Sequence, residues 1–303
     1  MAKTLLEYYL KILNYDNRPE FLNKYLKTPC LERLKKVGYF CGMDYASKKV
    51  YNFKEHITRY DHSLTVALLT WKCTKNKTDT LAGLFHDIAT PCFSHVIDYM
   101  NKDYAKQEST EEYTEKILKN DKYLNECLKK DKIKIEDIIN YKQYSIVDND
   151  RPKVCADRLD GVILTGISWT KNIDYNDIDN IVENIEIYND EIGFKSKEVA
   201  KKVLNVSDSI DKYCHSSEDN YMMQLLADIT KNGIKNKYIS YDELYNLSED
   251  ELISKLKNSK NSEIINKLNK FVNISIEEIP ETEIPEIKAR DLNPLVKGIR
   301  IKG

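Results

Sequence analysis

Three stretches of the chain are apolar almost all the way round a helix, and each carries ionisable side chains. Residues 60–75 (YDHSLTVALLTWKCTK) predict a buried helix, residues 78–89 a second and residues 152–167 (PKVCADRLDGVILTGI) a third, opened by a proline. Around them, amphipathic periodicity predicts helices over 3–15, 18–37 (opened by Pro19), 108–119, 122–130, 135–141, 176–185, 196–214, 219–232, 241–257 and 261–271. Thr90 as N-cap and Pro91 at the first helical position predict one more, through Met100. Residues 38–58 have no clean period and read as a loop with short strands, and the Ile- and Pro-rich run 274–296 reads as extended strand.

The expected class is therefore all-α, mainly helical, with a few short strands near 38–58 and at the C-terminus. Two units are expected: a helical core over 1–192, and a mainly helical subdomain over 193–303 ending in extended strands. No composition break marks the boundary, and a single domain is the alternative.

Composition sharpens this picture. Only 9 Gly and 7 Pro in 303 residues favour helix. A net charge of -2 supplies no global positive field, so nucleic acid is not an expected partner. Of the 47 basic residues only seven are arginine, so each Arg carries more information than a Lys. The seven cysteines lie singly with no C-x-x-C pair, which points to reduced thiols and a cytoplasmic location. No secretory leader is read at the start (MAKTLLEYYLKIL), no stretch approaches 18 apolar residues, and no membrane partner is expected.

The chemistry lies where packing would prefer aliphatic residues. His62, the pair His86–Asp87, and Asp157 with Arg158 and Asp160 stand on the three apolar helices. Burying an unpaired carboxylate is costly and is relieved by pairing or by a metal. Helices this apolar must pack together, which would bring two histidines and two aspartates to one place. Such a set mixes imidazole with carboxylate oxygen and suits one divalent transition ion: Mn, Fe, Co, Ni or Zn. It leaves room for water and substrate, the arrangement for lowering the pKa of water and polarising a phosphoryl oxygen. Adjacent side chains on a helix point about 100° apart. His86 and Asp87 can therefore reach one ion only where the helix ends, and Thr90–Pro91 is the expected end.

RYDHS (59–63), HD (86–87) and ADRLD (156–160) resemble the HD-domain metal-dependent phosphohydrolase superfamily, with its H…HD…D metal set. The chain is most similar to the dNTP triphosphohydrolase (dGTPase-like) branch. LERL (31–34), HDIATPCFSH (86–95), YCH (213–215), ISYDELYNLSEDELISKL (239–256) and ARDLNPLV (289–296) carry that likeness over nearly the whole chain. The resemblance implies His62, His86, Asp87 and Asp157 as metal ligands, His95 and Asp157 as catalytic residues, and Arg59 as a phosphate contact. Tyr213 and His215 as pocket-lining residues and Arg158, which keeps a positive charge beside Asp157, are the further expected substrate contacts.

The chain departs from the branch where further phosphate and sugar contacts are expected. Thr90, Gln107 (followed by Glu108), Gly161, Asn205 and Ser209 stand at those positions, so dNTP specificity is not carried over. Ala89–Thr90 does not suit a (p)ppGpp hydrolase, and no G-Y-P signature of a cyclic-di-GMP phosphodiesterase is present. The function expected is a metal-dependent phosphohydrolase acting on a nucleotide or other phosphorylated small molecule, with Mg accompanying the substrate as a further option. The alternatives are a 5'-nucleotidase-type phosphomonoesterase and a catalytically weak nucleotide-binding regulatory protein. The family likeness also suggests a homo-oligomer.

Overall fold

The computed structural model describes residues 3–105, 107, 109–111, 113–281 and 284–302; Glu108 lies outside them. Sixteen α-helices and one small sheet are found among the described residues. The Arg59–Thr74 helix forms the centre, with every residue from His62 to Thr70 buried, because it is too apolar all round to face water anywhere. It packs on one side against the Lys77–Phe85 helix and on another against the Ala156–Ser168 helix. Gly83 permits the first contact: a Cβ there would meet Thr70 Oγ1 at 3.0 Å.

A reciprocal cap sets where the central helix begins. The Thr58 side chain accepts from the Asp61 amide, and an Asp61 carboxylate oxygen accepts from the Thr58 amide at 2.8 Å. His62 thereby comes one turn inside the helix. The same device splits the expected 241–257 helix, since Ser248 and Glu251 cap a new helix, Glu249–Lys257, after the short Glu243–Asn246 turn.

Other departures have local causes. The 18–37 region forms short pieces, Leu22–Tyr25 and Pro29–Arg33, the second restarted by Pro29 at its first turn. Pro152 does not open the third buried helix; it lies in the loop before Cys155, the N-cap of Ala156–Ser168. The 38–58 region contains no strand, only a single bridge between Gly38 and Thr58.

The sheet is built elsewhere. Strands β1 (Ile185–Tyr188) and β2 (Glu191–Phe194) pair antiparallel, with Ile185 opposite Phe194. Asn189 and Asp190, at φ 49° and 58°, form the two-residue turn between them, a left-handed pair that suits Asn and Asp. The C-terminal strand β3 (Leu295–Val296) joins β2 in parallel, and β4 (Ile299–Arg300) turns back along β3. Strand β2 runs across the 192/193 position, and one apolar core takes in Leu159 and Ile163 together with Val203 and Leu226. No helix among the described residues is long and apolar enough to cross a membrane.

Candidate metal centre

The three buried helices converge on four side chains. His62 Nδ1 lies 2.7 Å from Asp160 Oδ2, and His86 Nδ1 lies 2.8 Å from the Gly83 carbonyl oxygen. Both partners are acceptors, so each Nδ1 carries a proton and each Nε2 is the nitrogen left to face a metal. These two Nε2 atoms face Asp157 Oδ1, at 3.1 Å from His62 and 3.4 Å from His86. Asp87 completes the group, its oxygens 3.7 Å from His62 Nε2 and 3.9 Å from His86 Nε2. One ligand atom each from His62, His86 and Asp87 falls within 4.8 Å of the others.

These residues fit a divalent ion. Two imidazole nitrogens with pinned tautomers and carboxylate oxygens are the donor chemistry of such a site. His86 Nε2, moreover, is buried with no hydrogen-bond partner, an orphan that a metal would satisfy. Charge agrees. Burial pushes Asp87 up, but the His86, Arg59 and His62 charges outweigh it and hold the carboxyl at about 2. Burial pushes His86 down, but the neighbouring Asp87 and Asp157 carboxylates outweigh it and raise it to about 10. The centre favours positive charge.

Of the two aspartates on the third helix, Asp157 faces the centre and Asp160 stands behind His62. Asp160 is fully buried, with its second oxygen accepting the Tyr9 hydroxyl at 2.9 Å. His86 and Asp87 reach one point because their helix stops at Phe85, a turn earlier than Thr90–Pro91 would require. Arg33 holds that turn: its Nη2 donates to the carbonyls of Ile88 and Thr90, each at 2.8 Å.

The helix expected to open at Thr90 begins instead at Val96. Phe93 and Ser94 have φ of 64° and 46°, left-handed conformations that interrupt any helix. Glu249 supports this strained turn, its Oε1 accepting the Phe93 amide at 2.8 Å. The turn presents Ser94 to Arg59 and His95 to the same cavity as the metal centre. His95 Nδ1 lies 2.8 Å from Oδ2 of the fully buried Asp98, which leaves Nε2 free to face the cavity.

Arg59 is buried beside Asp87, with Nη1 2.9 Å from Oδ2, Nε 3.1 Å from Ser94 Oγ and Tyr39 stacked over its guanidinium. Arg158 also lines the cavity, but its donors go to the 148–153 loop: Lys153 O at 3.0 Å, Asp148 Oδ1 at 3.0 Å and Asn149. A second cluster, Asp148, Cys155 and Asp157, has its Asp148 already paired to Arg158. Burial pushes the Cys155 thiol far up, so it packs as a neutral thiol rather than as a ligand.

Two expected pocket residues face elsewhere. Tyr213 is half exposed, with its ring against Trp169, and His215 Nδ1 turns back to the Asp211 carbonyl at 2.8 Å. The wall from this helix is Ser207, Ile210 and Cys214, the inward stripe at helical spacing, and Tyr213 lies off it. Gln107 lines the cavity, Thr90 is buried in the turn, and Ser209 bonds back to the Asn205 carbonyl. A Cβ on Gly161 would stand 3.1 Å from the Tyr39 hydroxyl.

The cavity measures about 700 Å³. His62, His86, Asp87, His95, Asp157 and Arg59 share it with an aromatic wall of Phe40, Phe53 and Trp169. Four of the chain's seven arginines, Arg59, Arg151, Arg158 and Arg290, face it.

The HD domain family model matches residues 59–163, from the first turn of the central helix into the middle of the helix bearing Asp157. This stretch is similar to an HD domain. Two relatives are recognisable by sequence. The uncharacterized protein YdhJ of Bacillus subtilis is 25% identical over 250 residues, covering 82% of this chain and 74% of that protein. The metal-dependent phosphohydrolase cns2 of Cordyceps militaris is 25% identical over 153 residues, half of this chain and 42% of that protein. Among solved structures, a hypothetical protein from Aquifex aeolicus shares the fold, with a TM-score of 0.60 at 18% identity over 84% of this chain and 71% of that one. The HD domain and the phosphohydrolase relative support a hydrolase acting on phosphate esters.

Proposed function

We propose that this HD-domain hydrolase cleaves the phosphate of a nucleotide or nucleotide-like substrate. The observation that carries this reading is one cavity in which a His–His–Asp–Asp cluster, a buried Arg59 and a second His95–Asp98 pair face an aromatic wall. The cluster and the cations suit a phosphate. Phe40, Phe53 and Trp169 suit a flat apolar group such as a nucleobase.

His62, His86, Asp87 and Asp157 would hold the divalent ion. That ion, when bound, supplies Lewis acidity to a phosphoryl oxygen and lowers the pKa of water. Arg59, buried and charged, offsets negative charge on the phosphate. Asp98 keeps the proton on His95 Nδ1 and orients the ring, so that Nε2 can hold or deliver a proton at the leaving oxygen. Arg158 sustains the 148–153 wall while adding positive charge beside Asp157. Tyr213 and His215 receive no role in this scheme.

The test is phosphorus-31 NMR of the protein with Mn and pooled nucleoside mono-, di- and triphosphates, beside His86→Ala. Inorganic triphosphate from wild type alone would extend the dGTPase-like resemblance to function. Orthophosphate from monophosphates would indicate a 5'-nucleotidase-type activity. A wild type that holds Mn and leaves every nucleotide intact would overturn nucleotide hydrolysis in favour of a binding role.

A further inference from the structure

Arg290 lies outside the HD domain, on the C-terminal segment that closes one wall of the cavity. Its backbone is fixed at both ends: the amide donates to Asp211 Oδ1 at 3.0 Å, and the carbonyl accepts the Ser207 hydroxyl at 3.2 Å. Its guanidinium is unmatched. Among the described residues it forms no hydrogen bond and no ion pair, and its Nε is buried without a partner. The carboxylate of Asp219, whose charge acts on it, is bound to the Tyr51 hydroxyl at 2.6 Å and stands beyond ion-pair distance.

Other cations crowd the same wall. Arg151 and Lys288 face the cavity beside Arg290; Arg151 spends one donor on the Asp291 carbonyl at 3.3 Å, and the Lys288 ammonium has no acceptor among the described residues. Burial, then the Arg151 and Arg290 charges, push Lys288 below its ordinary value. A half-buried guanidinium without an anion, its Nε shut away from water, is costly to keep, and three like charges on one wall add to that cost. The cost is relieved when an anion enters the cavity.

We propose that Arg290, with Arg151 and Lys288, forms an anion subsite for a second acidic group of the substrate, a phosphate other than the one beside the metal cluster. The subsite presupposes the phosphohydrolase reading for its biological use, but its affinity for an anion does not depend on turnover. Substrates carrying two or more phosphates would be selected over phosphomonoesters, and the selection would come from a segment beyond the HD domain.

The test uses the full chain in EDTA, with inorganic pyrophosphate and inorganic phosphate as calorimetric probes. Wild type and His86→Ala should both bind pyrophosphate more tightly than phosphate. Arg290→Gln should bind pyrophosphate at least about tenfold more weakly, while Arg290→Lys keeps part of the affinity. Lys288→Gln gives an independent reading should Arg290→Gln fail to fold, as judged by circular dichroism; a loss of about threefold or more is expected. Equal pyrophosphate affinity in wild type and in whichever of these variants folds would overturn the subsite. Failure of the nucleotide reading alone would show as silent phosphorus spectra with pyrophosphate binding intact. Where turnover is found, Arg290→Gln should raise KM for the polyphosphorylated substrate with kcat within about twofold; an unchanged KM would also overturn the assignment.

Discussion

His62 Nδ1 and Asp160 Oδ2 meet at 2.7 Å in a fully buried contact, and the Tyr9 hydroxyl holds the other Asp160 oxygen at 2.9 Å. The pair turns His62 Nε2 toward Asp157 and Asp87. A carboxylate behind an imidazole fixes its tautomer and strengthens it as a donor.

Asp160→Asn should therefore lower Mn affinity by about 10- to 100-fold while leaving the helical circular dichroism spectrum intact. Competition titration against a chelator measures this directly. Unchanged affinity would show that Asp160 only fills space.

Asp98 stands to His95 as Asp160 stands to His62. Asp98→Asn should cut turnover by about tenfold or more and His95→Ala by about 100-fold or more, each with full Mn content. Metal loss in either variant, measured by elemental analysis, would place these residues in metal binding instead.

Glu249 predicts a pH dependence of stability. Burial, only partly offset by the Phe93 amide, raises its carboxyl from 4.5 to about 7. Between these values the folded chain keeps a proton that the unfolded chain has lost. The stabilising contribution of the protonated form is thus present below about pH 4.5 and lost as pH rises through about 7. Urea unfolding at pH 5 and pH 8 should show wild type losing about 3 kcal/mol relative to Glu249→Gln over this range. Asp219, raised to about 6, acts with the same sign in both proteins and cancels in the difference. Parallel pH profiles would refute the shift.

Arg33 caps the turn that carries His86 and Asp87. Arg33→Met keeps the bulk and removes both donors to Ile88 and Thr90. It should cost about 2 kcal/mol in urea unfolding and weaken Mn binding. Loss of stability without any change in Mn affinity would mean that the turn holds its shape unaided.

Much of the centre was legible in the chain. A histidine or an aspartate within an apolar helix is anomalous on sequence grounds alone, and three such helices must pack together. His62, His86, Asp87 and Asp157 follow from that, as does the mainly helical class. The need for a helix end at His86–Asp87 was also legible, but its position was not. It depends on Arg33, more than fifty residues away, rather than on the nearby proline.

Elsewhere the local signals misled. Thr90–Pro91 has the composition of a helix start, but Phe93 and Ser94 adopt left-handed backbone there, supported by Glu249 from a distant helix. Tyr213 and His215 were placed by resemblance, whereas helical phase turns Ser207, Ile210 and Cys214 to the cavity instead. The Asn189–Asp190 turn is a hairpin signal in the chain, joining two strands of four residues each.

The pattern of apolar and ionisable positions by itself determined the helical class, the three buried helices and the kind of chemistry they carry, because burying charge is costly whatever the fold. Tertiary structure alone set Asp160 behind His62. It alone gathered Arg151, Lys288 and Arg290 onto one wall. Those choices rest on contacts between residues far apart in the chain, and no periodicity along the sequence records which distant side chains will share a cavity.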